Sequence, residues 1–302
     1  MATESTGETS NDPRGITPRD ATTGRLLILA AAILWSSSGF FGKHSAFADW
    51  PADSRGLLMA FWRALFGGLV ILPLVRRPRL RRRLIPMTLS FALMNASYLS
   101  AFTLTTAANA IWLQNTAPIW VLLIGALALG DPVRRQDLVL LLFGMVGVGV
   151  IVACEIRGQQ QAGIMLGLLA GFSYGLVVMF IRAQRDEDPA WLTALNLLVT
   201  AALLAPYLFY RGIWPTPQQT VILAAFGLVQ MGLPYVLLAR GLRTVPSAEA
   251  MGIGLVEPIL VPIWAYLAWH DEPQWWTLLG AALILTGLAI RYLPATFRMR
   301  AE

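Results

Sequence analysis

The stretch GLVEPILVPIW, Gly254 to Trp264, sets a carboxylate, Glu257, against Pro258, with Pro262 one turn further on. All three lie inside an apolar run from Ala248 to Trp269. A charge in such a run is costly in a membrane, and a proline frees backbone groups that hydrocarbon cannot satisfy. Of the chain's 17 acidic residues, only Glu249 and Glu257 are read as falling within apolar spans. Glu249 sits in a first turn, where a carboxylate caps a helix N-terminus. Glu257 stands near the middle of its run. It could bind the amino group of a substrate or a coupling proton, or serve as the structural partner of Arg63 or of freed backbone amides. Arg63 is the one cation well within a span. Its planar fork suits a substrate carboxylate; a structural role and snorkelling toward the outer headgroups stay open beside it.

Around these two charges the spans carry Trp35 and Ser36 to Ser38, then Asn95 and Tyr98, then Asn109, Trp112, Gln114 and Asn115. Further on come Tyr174, Asn196, Gln230 and Tyr235. Neutral polar groups in membranes usually bond a neighbouring helix, which accounts for most of the serines and Asn196. Trp35, Tyr98, Trp112, Tyr174 and Tyr235 lie too deep for an interfacial belt. Aromatic walls with a few polar heads make a pocket for a small amphipathic solute. Pro118 and Pro258 predict kinks near mid-membrane, suited to gating helices that bend, although static kinks are as common. Gly163, Gly167, Gly171 and Gly175 recur every fourth residue and predict close helix packing rather than ligand binding.

The elements that must hold these side chains follow from composition. The chain has 302 residues, 56% hydrophobic and 13% charged, against about 25% charged in soluble domains; its mean hydropathy is +0.60. Ten apolar runs have the length that crosses a bilayer core: 25–43, 56–75, 84–104, 107–129, 137–155, 163–181, 190–210, 219–239, 248–269 and 275–293. With the N-terminus inside, eighteen arginines fall on the cytoplasmic side and four basic residues, Lys43, Arg55, Arg157 and Arg211, outside. The positive-inside rule therefore puts both termini in the cytoplasm. Residues 1–24 read as a disordered cytoplasmic tail, not a cleaved signal peptide, and 294–302 as a short second tail. The charge of +6 reports topology, not a nucleic-acid partner. The single cysteine, Cys154, excludes an intramolecular disulfide and a cysteine metal cluster.

The spans repeat. AANAIWLQNTAPIWVLLIGALALGD (107–131) aligns with SAEAMGIGLVEPILVPIWAYLAWHD (247–271), so that Pro118 meets Pro258, Asp131 meets Asp271 and Ala117 meets Glu257. With a shift one residue smaller, Trp35 meets Tyr174 and Lys43 meets Arg182. The halves are 25–155 and 163–293, five spans each. An odd number forces the second half to enter from the opposite side, which makes an all-α integral membrane protein of ten transmembrane helices in two inverted-topology repeats, a plan shared by many secondary transporters.

FWRALFGG, TAANAIWLQNTAPIW, SAEAMGIGLVEPILVPIWAYLAWHDEP and LGAALILTGLAI resemble the drug/metabolite transporter superfamily, specifically its ten-helix EamA-type members. The resemblance covers nearly all of the chain after residue 25. It implies export of amino acids or related metabolites across a bacterial inner membrane. That pattern commonly closes span four or nine with a glutamate before a proline. Here Glu272-Pro273 fits, while Asp131-Pro132 departs from it.

GFFGKHS, at Gly39, lacks the first glycine of a phosphate loop, with Ser37 in its place, so the chain holds no nucleotide site of that kind. Zinc motifs and a nucleophile elbow are missing too. The reading is therefore a secondary transporter or facilitator, not an enzyme, without cofactor or metal. It works by alternating access on a small-molecule substrate, most simply an amino acid, as a monomer or weak homodimer in the lipid bilayer. A nucleotide-sugar or amphipathic drug is the alternative cargo, with one Arg63 thin for a diphosphate. A lipid-acting embedded enzyme is the alternative class, its only support the cluster His270-Asp271-Glu272.

Overall fold

The computed structural model describes residues 18–128, 133–155, 160–184, 186–245 and 247–298. The ends of both expected tails, and the Asp131-Pro132 pair, lie outside these. All regular structure in the described residues is helical, as lipid requires of an open chain: each backbone donor must find its acceptor within its own segment.

Span one is α1 (Pro18–Ser36) followed by the short α2 (Ser38–Gly42). Spans two and three are α3 (Ala52–Ile71) and α4 (Ile85–Leu104), and span four is split into α5 (Ala107–Gln114) and α6 (Ala117–Ala128). Spans five, six and seven are α7 (Arg135–Glu155), α8 (Gln161–Ala183) and α9 (Pro189–Arg211). Span eight is α10 (Pro217–Phe226), a π-helical segment Gly227–Gly232, and α11 (Leu233–Gly241). Span nine is split into α12 (Ser247–Gly254) and α13 (Val256–Trp269), and α14 (Trp275–Arg298) closes the chain. Nine of these spans are long and apolar enough to cross a membrane, and the last contributes a shorter apolar helix, Trp275–Arg291.

Packing follows the repeat. Span three lies on span six and span eight on span one; spans two and seven, and spans five and ten, pack on their own counterparts. Span four packs on span six as span nine does on span one. The close approaches are made by small residues. The glycine stripe of α8 lies where its sequence spacing predicts. Gly163 faces Leu104 and Thr105, Gly167 faces Leu113, Gly171 faces the Leu113 carbonyl and Thr116, and Gly175 faces Trp120 and Ala117. Gly147 and Gly280 bring α7 and α14 together in the same way.

Ion pairs join residues that the ten-span threading places on one side of the membrane. Lys43–Asp271 (3.2 Å) and Arg211–Asp53 (2.9 Å) fall on the expected outer side. Arg25–Glu249 (2.6 Å), Arg83–Glu187 (2.8 Å) and Arg291–Asp137 (2.5 Å) fall on the inner side. Two sequence expectations change here. Glu249 does lie in the first turn of α12, but it binds Arg25 of α1 and so ties span nine to span one. Glu249 and Glu257 are also not the only acids in helical spans: Asp137 and Glu155 lie within α7, 3% and 5% exposed. Glu155 accepts hydrogen bonds from Asn109 Nδ2 (3.2 Å) and Trp276 Nε1 (3.0 Å), which explains how a terminal carboxylate can be so deeply buried.

Candidate functional site

The two prolines mark breaks. The helix of span four stops at Gln114, with Asn115 closing it by donating its side-chain amide to the Ile111 carbonyl (2.9 Å), and a new helix starts at Ala117. In span nine, α12 ends at Gly254, Leu255 is the junction, and α13 starts at Val256. Pro118 and Pro258 therefore occupy the first turns of second half-helices, where a missing N–H costs nothing because that donor has no intrahelical acceptor anyway. The sequence predicts kinks; the structure interrupts the regular helix for two residues in span four and for one, Leu255, still in a right-handed helical conformation, in span nine, at positions that the repeat matches. The break in span nine also answers why Glu257 stands beside a proline. It puts the carboxylate in the first turn of a helix, where the partial positive charge of the N-terminus favours an anion.

Glu257 is half-buried and makes no ion pair or hydrogen bond among the described residues. It lies within electrostatic reach of three phenols, Tyr98 of α4, Tyr174 of α8 and Tyr235 of α11. Trp35 of α1 meets Tyr235 edge to face, with centroids 5.3 Å apart. The Tyr98 hydroxyl is 3.1 Å from the Ser38 hydroxyl of α2. Five spans, one, three, six, eight and nine, thus contribute to one polar and aromatic cluster. Ser36 and Ser37 return their hydroxyls to the Ile33 and Leu34 carbonyls (2.6 and 2.5 Å) at the α1–α2 break, and Trp264 Nε1 donates to Ser36 (2.9 Å).

Beside this cluster sits Arg63 of α3, 1% exposed. It does not snorkel and it does not pair with Glu257. One Nη donates to Gln230 Oε1 (2.7 Å) and the other to Asn95 Oδ1. The rings of Phe226 and Tyr98 lie 5.1 and 6.0 Å from its guanidinium carbon. Arg63 Nε and Asn95 Nδ2 are buried without hydrogen-bond partners. The sequence reading named Arg63, Asn95, Gln230 and Tyr98 separately, and the structure brings all four together. What it missed is the π-helical segment that carries Gln230. The signals were the glycines at its two ends, Gly227 and Gly232, with Pro234 two residues beyond. At Gly227 a Cβ would stand 2.7 Å from the Gly67 amide nitrogen, so only glycine admits α3 this close.

The remaining candidates sit apart. Trp112, 4% exposed, packs into the main hydrophobic core. Gln114 is buried without a hydrogen bond to a described residue. Asn115 is used in closing its own helix. Asn196, expected to bond a neighbouring helix, leaves its Oδ1 buried without a partner.

A second set of contacts lies on the expected outer side. Lys43 Nζ donates to the Thr105 carbonyl (2.6 Å) and pairs with Asp271, whose other oxygen accepts from the Ala107 amide (2.7 Å) at the start of α5. Trp269 Nε1 donates to the Phe40 carbonyl (2.7 Å), and its ring lies 4.5 Å from that of His44. A lateral cleft of about 280 Å³ opens nearby, lined by Ile33, Leu34, Ser37, Phe40 and Trp264. No group of His, Cys, Asp and Glu among the described residues could hold a metal ion.

With this geometry in hand, comparison with known proteins is informative. An uncharacterized transporter of Archaeoglobus fulgidus is 29% identical over 277 residues, covering 89% of this chain and 96% of the relative. The pseudopaline exporter CntI of Pseudomonas aeruginosa is 26% identical over 270 residues, covering 87% and 93%. A solved crystal structure of a protein superposes with a TM-score of 0.62 at 20% identity, over 91% of this chain and 98% of that one, and so shares the fold. The signature of the EamA-like transporter family matches twice, over residues 22–153 and 161–293, nearly the division that the internal repeat gives. The chain belongs to the EamA-like transporter family and is a multi-pass membrane transporter.

Proposed function

We propose that this transporter exports small metabolites, amino acids or close relatives of them, across the bacterial inner membrane by alternating access. Its halves, 25–155 and 163–293, are inverted repeats with both termini in the cytoplasm. One observation carries the reading. Spans four and nine break at matched positions, and the second break presents Glu257 to aromatic groups from both halves. Broken helices whose half-helix ends face a central site are the usual construction of secondary transporters. The recurrence of the packing pairs when the halves are exchanged supports the same plan. A relative named as an exporter of pseudopaline favours outward movement of a metabolite.

In this reading Trp35, Tyr98, Tyr174, Tyr235 and Glu257 line the cargo site, with Arg63, Asn95 and Gln230 behind it, while Trp112, Gln114 and Asn115 of span four stay outside it. Pro118 and Pro258 keep the two breaks open to bending. The Lys43–Asp271 contact and the Trp269–His44–Phe40 aromatic group close the outer side, and the Arg25–Glu249 pair links spans one and nine at the inner side.

Counterflow tests it. Liposomes containing the purified protein are loaded with a panel of unlabelled amino acids, and entry of trace labelled ones is followed with and without a pH gradient. Saturable counterflow is expected. Its absence for every amino acid, from protein shown to be folded, would exclude amino-acid cargo.

A further inference from the structure

The cluster holds one buried cation and one half-buried carboxylate, and their surroundings differ in a way that bears on cargo chemistry. The guanidinium of Arg63 is enclosed. Both of its terminal nitrogens are taken by amide oxygens, from Asn95 and Gln230, and the Phe226 and Tyr98 rings lie beside it. Its residue exposure is 1%. Each terminal nitrogen keeps a second N–H and Nε keeps its own, but a carboxylate from solution must open the packing around a side chain with almost no accessible surface to form the two-pronged contact that arginine offers. Arg63 Nε and Asn95 Nδ2 are among the donors left over, buried without partners. Side-chain amides supply acceptors without adding charge, which is how a permanent cation is held in a low-dielectric place when no counter-ion is meant to arrive.

Glu257 is the opposite case. Its side chain has no hydrogen bond or ion pair among the described residues, and it is largely but not fully buried. The half-helix N-terminus favours its charge. Three tyrosines from three spans lie within electrostatic reach of it, and one of them, Tyr174, is 40% exposed. Trp35 stands against Tyr235. A carboxylate without a partner, near electron-rich rings, suits an organic ammonium, which gains a charge-assisted hydrogen bond and cation–π contact at once.

We propose that cargo is recognised through a cationic nitrogen at Glu257, and that Arg63 is a positioning residue that does not read a cargo carboxylate. The proposal rests on the transport reading above for its biological sense but makes a claim about binding alone. It widens the cargo class from amino acids to organic amines.

The test uses matched trios of probes built on leucine, phenylalanine and methionine: the amino acid, its decarboxylated amine, and its N-acetyl acid. Binding to the full-length protein in nanodiscs is read by thermal shift, and each compound is then tried as an inhibitor of counterflow. At least one trio is expected to show the amine binding within about tenfold of its amino acid while the acetylated acid does not bind; tenfold corresponds to about 1.4 kcal/mol. Glu257→Gln abolishes amine binding. Arg63→Lys, which keeps charge and loses the fork, lowers the thermal midpoint and the maximal rate but leaves the relative ranking of the three compounds unchanged. The proposal is overturned if acetylated acids bind and amines do not, if Arg63→Lys reorders the ranking, or if no amine binds in any trio. Amine binding without counterflow would sink the transport reading and leave this inference standing; counterflow of amino acids that no amine inhibits would do the reverse.

Discussion

Arg63 shows how much a single side chain depends on partners that are far away in sequence. It sits 32 residues from Asn95 and 167 from Gln230, yet hydrogen-bonds both. Removing one acceptor leaves a charged donor buried and unsatisfied, at a cost of about 1–3 kcal/mol, more if nothing relaxes. Asn95→Ala is therefore expected to lower the thermal midpoint of the purified protein by several degrees. Asn95→Asp, which restores an acceptor, should recover most of that loss. An equal drop in both variants would mean that packing volume, not the hydrogen bond, is what Asn95 supplies.

Helices here meet through glycine, and the consequences can be read position by position. A Cβ on Gly171 would stand 2.2 Å from Thr116 Oγ1 and 2.4 Å from the Leu113 carbonyl oxygen, immediately at the break of span four. The carbonyl belongs to backbone, so α8 itself must retreat. Overpacking of this kind costs about 1–3 kcal/mol. Gly171→Ala is expected to destabilise the protein and to slow counterflow, since α8 also carries Tyr174. Gly149→Ala, on α7, is the control: nothing lies within 4 Å of its added Cβ. Exchanging glycine for alanine in a helix then gains up to about 1 kcal/mol. If both changes had the same effect on thermal midpoint, the stripe would not be a packing surface.

At the scale of the whole molecule, the proposed transport cycle requires that the two halves be inverted. Two residues serve to test it. Pro78 lies between spans two and three and Gln218 begins span eight, and both are exposed. The threading puts the first inside and the second outside. With Cys154, which is free and exposed, replaced by serine, a membrane-impermeant maleimide added to whole cells should label Gln218→Cys and spare Pro78→Cys until the membrane is opened. Labelling of both would remove the inverted arrangement and with it the pseudo-two-fold relation between the breaks, whereas labelling of Pro78→Cys alone would keep the inversion and reverse the sidedness.

The sequence alone determined the membrane class and the duplication, because each is written in local quantities. Span length follows from bilayer thickness, and the repeat from matched residues such as Pro118 and Pro258. Even the packing role of Gly163 to Gly175 followed from spacing. Only the tertiary structure decided what these residues do to one another. Whether Arg63 pairs with Glu257 or with two amides depends on how α3, α4 and the π-helical segment dock, which no local pattern encodes. Where a helix is interrupted beside a proline depends on the neighbouring residues, here Asn115, which returns its side chain to Ile111, and Leu255. The burial of Glu155, which its place at a span end conceals, required Asn109 and Trp276 from two other spans to supply donors. A carboxylate's environment is made by contacts across the fold, so its chemistry could be suspected from the chain but assigned only once the helices were packed.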